Sequence, residues 1–164
     1  MFNNVGDLNL TVRQPEPFDM VLGEIFSCLS AGLYYAALHL ALSIPDVCSS
    51  LETNPDDDER YRIEKRYVTW CEKYLSPKFS KFDAADCWAL RGGVLHNGNL
   101  TGHSKTKYDH VMFTLGGNVR IGEMLSTNNG GTNLVGLSLD IGIFCDRVAE
   151  AANEWLADVQ ADEI

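Results

Sequence analysis

Residues 25–42 read IFSCLSAGLYYAALHLAL, 18 positions without an Asp, Glu, Lys or Arg. A run of that length reaches the lower bound for a membrane-spanning helix. Its flanks argue against one. Glu24 precedes it, His39 lies inside it, and Asp19, Asp46 and Glu52 surround it, with no Lys or Arg near either end to set a topology. The apolar positions Leu22, Ile25, Phe26, Leu29, Leu33, Ala36, Ala37 and Leu40 recur at helical spacing. Tyr34, Tyr35 and Leu38 carry the apolar surface around the other side. The run therefore predicts one helix from Asp19 to about Leu42, buried on most faces within a bundle or at a subunit interface.

Working outward, Pro15 and Pro17 oppose a helix, so residues 1–17 read as an irregular arm before a single domain over 18–160. Ser43-Ile44-Pro45-Asp46 predicts a break, then a short helix from Pro45 to about Leu51. TNPDDD at 53–58 is an acidic loop. Glu59 to Leu75 predicts a third helix with Tyr67, Trp70, Cys71 and Tyr74 inward. After a turn at Pro77, a fourth helix opens with Asp83 as N-cap, passes Leu90, Arg91, Val94, Leu95 and His96, and stops at Asn97-Gly98. His110 to Leu115 (HVMFTL) predicts a short strand, with a second around Val119 to Ile121 in a Gly-, Asn- and Thr-rich stretch. Ser138 or Asp140 caps a last helix to about Val159, its inner side Ile143, Phe144, Val148, Ala151, Ala152, Trp155 and Leu156. The fold class is all-α: a bundle of about five helices with a small β insertion before the last.

Forty-five per cent apolar residues over a length of 164 fit one globular domain and exclude a disordered chain. The formal charge of −10 argues against non-specific binding to nucleic acid or an anionic membrane. That charge is uneven: residues 1–60 carry net −8, residues 61–110 net +4 and residues 111–164 net −6. An anionic ligand is expected near the basic middle. Cys28, Cys48, Cys71, Cys87 and Cys145 are odd in number and without a CxxC pair, so they read as reduced core thiols of a cytoplasmic protein. The start MFNNVGDLNL lacks the basic and apolar regions of a signal peptide.

Chemistry concentrates in Arg91-Gly92-Gly93-Val94-Leu95-His96-Asn97-Gly98. Reaction at a phosphodiester needs a cation for charge developing on the phosphoryl oxygens. It also needs a group that moves a proton near neutral pH, as His does. A last-turn position favours the protonated ring through the helix dipole. Positions five apart, however, stand about 140° apart around a helix. Arg91 and His96 converge only if the helix end unwinds or a second subunit brings an equivalent pair across. The series His96, His103 and His110 with Asp109 fits no compact metal motif, so no metal is expected. His39 reads as a hydrogen-bonded core histidine, and Tyr34, Tyr35 and Trp88 as a minor candidate lining for a small-molecule pocket. No P-loop, GxSxG or HExxH pattern occurs.

Ala89 to Gly98 (ALRGGVLHNG) resembles the HEPN superfamily, compact helical bundles marked by an Arg, four to six residues and a His near a helix end. The order of elements is also similar to a group of uncharacterised bacterial HEPN-like proteins: GLYYAALHLAL, then SIPDVC, the Arg-x4-His helix, a strand like HVMFTL, and a last helix with Trp155. The resemblance implies a homodimeric, cofactor-free, metal-independent endoribonuclease that cuts RNA through its own 2′-hydroxyl. It implies His96 as general acid or base and Arg91 on the scissile phosphate. Asn97, Arg66 and Lys73 are the further candidates for holding substrate. Many such proteins are toxins or defence effectors with an antitoxin or nucleotidyltransferase partner. Others are non-catalytic dimerising modules that bind a protein partner, RNA or nucleotide. The residue after the arginine, often polar in active members, is Gly92 here. An Arg91 or His96 plugged by a carboxylate inside the core counts against catalysis.

Overall fold

A computed structural model describes residues 17–52, 62–97, 108–116, 121–127 and 133–162, with the backbone alone at 17, 62, 95–97, 121–127, 133 and 162. Among these residues, five α-helices and a three-stranded sheet follow one another as α1 (Pro17–Ser30), α2 (Tyr34–Leu51), α3 (Arg62–Trp70), α4 (Ala84–Asn97), β1 (His110–Thr114), β2 (Ile121–Thr127), β3 (Asn133–Asp140) and α5 (Ile141–Asp162). The molecule is mostly helical, with its sheet before the last helix. The predicted arm and the acidic loop at 53–58 lie outside the described residues, apart from Pro17, which opens α1 as a first-turn proline can.

The apolar run at 25–42 is two helices rather than one. Gly32, at φ +73°, ends α1 in a left-handed conformation. The Gly32 N–H donates to Leu29 O at 3.1 Å and the Leu33 N–H to Cys28 O at 2.8 Å, the paired bonds of a Schellman cap. The predicted break at Pro45 is absent, because α2 runs through it to Leu51. A proline inside a helix costs about 3 kcal/mol. Ala41, Leu42, Ile44 and Cys48 around it have no exposed surface. Burying each large side chain returns about 1.5–3 kcal/mol, so packing outweighs the local penalty.

α3 continues directly into a wide π turn, Cys71–Leu75, and a tight 3-10 turn, Ser76–Lys78. The wide turn brings Cys71, Tyr74 and Leu75 inward together and leaves Glu72 and Lys73 outside. α4 begins as expected from Asp83. The Asp86 N–H donates to Asp83 Oδ1 at 3.0 Å, and the Asp83 N–H to Asp86 Oδ2 at 3.2 Å, a reciprocal capping box.

In the sheet, β3 lies central, parallel to β1 and antiparallel to β2. The sequence reading gave β1, placed a second strand at the edge of β2, and missed β3. Gly136 is opposite His110 in the register. A Cβ there would stand 2.5 Å from His110 Nε2, so the glycine leaves room for the His110 ring across the sheet. Asp140 then caps α5 through the Ile143 N–H (3.0 Å) and holds the Gly116 N–H (2.7 Å). Phe144 of α5 collects the rings of Phe79, Phe82 and Phe113 at 5.9–6.1 Å. The Trp155 indole donates to Glu52 Oε1 at 2.5 Å, fastening α5 to the end of α2.

Candidate functional site

Arg91 lies on α4 where three helices meet. Its Nε donates to Asp46 Oδ2 of α2 at 2.5 Å. The guanidinium carbon stands 4.8 Å from the Trp88 ring centroid and 5.5 Å from that of Tyr67 on α3. A planar guanidinium suits this combination of stacking and charge pairing better than an ammonium. Only 15% of the Arg91 side chain and 21% of that of Asp46 are exposed, so the pair sits at the rim of the core. Asp46 Oδ1 is buried without a hydrogen-bond partner.

Tyr67 supports the pair from below. Its hydroxyl donates to Leu42 O at 3.1 Å, and its sulfur neighbour Cys87 Sγ is 3.4 Å away. Burial first, then the nearby Cys87 and Cys71, push the phenol well above its usual range. Burial likewise raises the Cys71 thiol, and holds Cys48 and Cys145 at about 12. These groups stay protonated and act as core atoms rather than nucleophiles.

α4 keeps its α-helical course through Asn97, so its end does not unwind. Positions 91 and 96 therefore remain about 140° apart around one helix. Of the two routes to convergence, only the second subunit is left. The side chains of His96 and Asn97 lie outside the described residues, as does all of His103.

The seam between α2 and α4 adds groups that sequence reasoning did not assign to the site. The Tyr35 hydroxyl donates to Val94 O of α4 at 3.3 Å. His39 Nδ1 lies 3.0 Å from Tyr35 O, and the two rings meet edge-on with centroids 4.5 Å apart. His39 is half-buried, not a core residue. Tyr34 and Tyr35 are 40% and 46% exposed, so they line no pocket in the bundle core. An open groove of about 350 Å³ lies elsewhere, bounded by Val68, Glu72, Ser76 and residues Asp83 to Ala85. Asp46 was hidden from the sequence reading by its place after Pro45, where a break was expected.

Lys73 is engaged by the last helix. Lys73 Nζ pairs with Asp158 Oδ2 of α5 at 3.1 Å and lies 4.6 Å from the Tyr74 ring centroid. Hydrogen bonds to Tyr74 and Asp158 raise its pKa, and the bond from Lys73 lowers that of Asp158. Lys78 reaches Glu154 at 2.6 Å and Glu150 at 4.0 Å with only 12% of its side chain exposed. Part of the basic middle is thus matched by one face of α5, where Glu150, Glu154 and Asp158 recur every four residues. Arg66 is partly buried, with its Nε lacking a hydrogen-bond partner.

Among the described residues, no three His, Cys, Asp or Glu side chains group as a metal site. Among the same residues, no helix is long and apolar enough to cross a membrane. No family model, curated protein or solved structure matches the chain.

Proposed function

We propose that the chain is a HEPN-like, metal-independent endoribonuclease acting as a homodimer. The observation that carries this reading is the place of Arg91, on the same regular helix whose last turn holds His96. Catalysis requires Arg91 to share its guanidinium between Asp46 and a phosphate, and the largely buried Asp46 carboxylate on it counts against that. Because α4 stays regular, the working unit takes Arg91 from one copy and His96 from the other. The 2′-hydroxyl attacks the phosphorus, the bond to the 5′-oxygen breaks, and a cyclic phosphate remains. DNA, lacking the nucleophile, is not cut. Such a protein serves as a toxin or defence effector, with an antitoxin or nucleotidyltransferase as a candidate partner and the cytoplasm as its compartment.

A second reading is a non-catalytic dimerising module that binds a protein partner, RNA or nucleotide. The Arg91–Asp46 ion pair itself favours it, since a guanidinium satisfied by a carboxylate also works as a bolt between helices. Incubation with RNA in EDTA separates the two. The nuclease reading expects cyclic-phosphate ends from wild type and their loss with His96→Ala. Equal residual RNA from both proteins at matched purity favours the module.

A further inference from the structure

We infer that His39 is the proton acceptor of this cleavage, taking the 2′-hydroxyl proton of a ribose whose 3′-phosphate lies at Arg91. The inference rests on the nuclease reading above and assigns it a group that the Arg-x4-His spacing does not contain.

The first ground is the ring itself. Nδ1 lies 3.0 Å from the Tyr35 carbonyl, which can only accept. Nδ1 therefore carries the hydrogen, and in the neutral ring the lone pair sits on Nε2. The Tyr35 ring, edge-on to the imidazole at 4.5 Å, steadies that orientation.

Placement is the second ground. His39 precedes Asp46 by seven residues on α2. Two helical turns return to nearly the same face and advance about 10 Å along the axis. Asp46 holds Arg91, and the tyrosine that contacts His39 also bonds to Val94 of α4. His39 and the Arg91–Asp46 pair therefore lie along the α2/α4 seam, two turns of α2 apart. His39 is half-buried, so the seam stays open to a ligand there.

The third ground is the reaction. Internal transesterification needs a base for the 2′-hydroxyl and an acid for the departing 5′-oxygen. His39 Nε2 removes the first proton as the 2′-O–P bond forms. In the reading above, His96 supplies the second as the P–O5′ bond breaks.

His39→Gln tests this, because the Gln amide keeps a donor for the Tyr35 carbonyl and removes the base. With an unchanged melting curve, it is expected to lower kcat by roughly 10²–10⁴-fold with little change in KM. A substrate with sulfur at the bridging 5′ position has a leaving group that needs no proton. It should restore cleavage by His96→Ala and leave His39→Gln defective. Cleavage by His39→Gln within a few fold of wild type, while His96→Ala is inactive, overturns the inference and leaves the nuclease reading standing. Restoration of His39→Gln by the sulfur substrate overturns the assignment as base. A wild-type protein that leaves RNA intact removes the nuclease reading and this inference together.

Discussion

An arginine side chain that is 15% exposed has exchanged most of its water for Asp46, Trp88 and Tyr67. That exchange makes Arg91 costly to disturb. Removing one partner of a largely buried pair leaves the other charged and unmatched, so Asp46→Ala is expected to cost about 3 kcal/mol in a urea titration. Asp46→Asn, which keeps an acceptor for Nε, should cost less. A loss below about 0.5 kcal/mol for Asp46→Ala would place the pair among surface bridges of little weight. The buried thiols give a prediction in pH. Cys48 and Cys145 are raised by burial from 9.0 to about 12 in the folded chain. A raised folded pKa means stability is complete below the unfolded value and drains away as pH climbs toward the folded one. The melting temperature should therefore fall between about pH 9 and about pH 12. A melting curve flat across that window would contradict the burial.

At the scale of elements, the sequence was most readable where one residue type has a single local use. Asp83 and Asp140 were legible as caps and do cap α4 and α5. Gly32 and Pro45 misled in opposite directions. Glycine interrupted a run whose apolar spacing continued across it, and proline stayed inside a helix because the burial around it was stronger than its own preference. β3 escaped because Gly136 splits its apolar pattern, and the reason for that glycine lies across the sheet at His110. Gly32 can be tested directly. Left-handed backbone costs an L-residue roughly 1–2 kcal/mol, so Gly32→Ala should lower stability by about that amount although nothing lies within 4 Å of its added methyl. A neutral or stabilising result in thermal melts would mean that the turn between α1 and α2 relaxes to another shape.

Across the whole molecule, the alternation of acidic, basic and acidic segments has a partly internal purpose. Lys73 and Lys78 meet Asp158, Glu150 and Glu154 of α5, so these cations join the middle of the chain to its last helix. Charge totals by segment suggested an anion site without showing which cations were already engaged. Partnering is a property of the fold, as is the seam that sets Asp46 against Arg91 of α4. The spacing of Arg91 and His96, by contrast, was readable from the start, and so was the choice between an unwound helix end and a second copy. Complementation between two inactive variants tests the second copy most directly. Arg91→Ala and His96→Ala are each expected to be inactive on RNA in EDTA. Mixed and allowed to exchange subunits, about half the dimers are hybrids with one intact composite site, returning about a quarter of the wild-type rate. A mixture of verified hybrids as inactive as its parents would contradict the account.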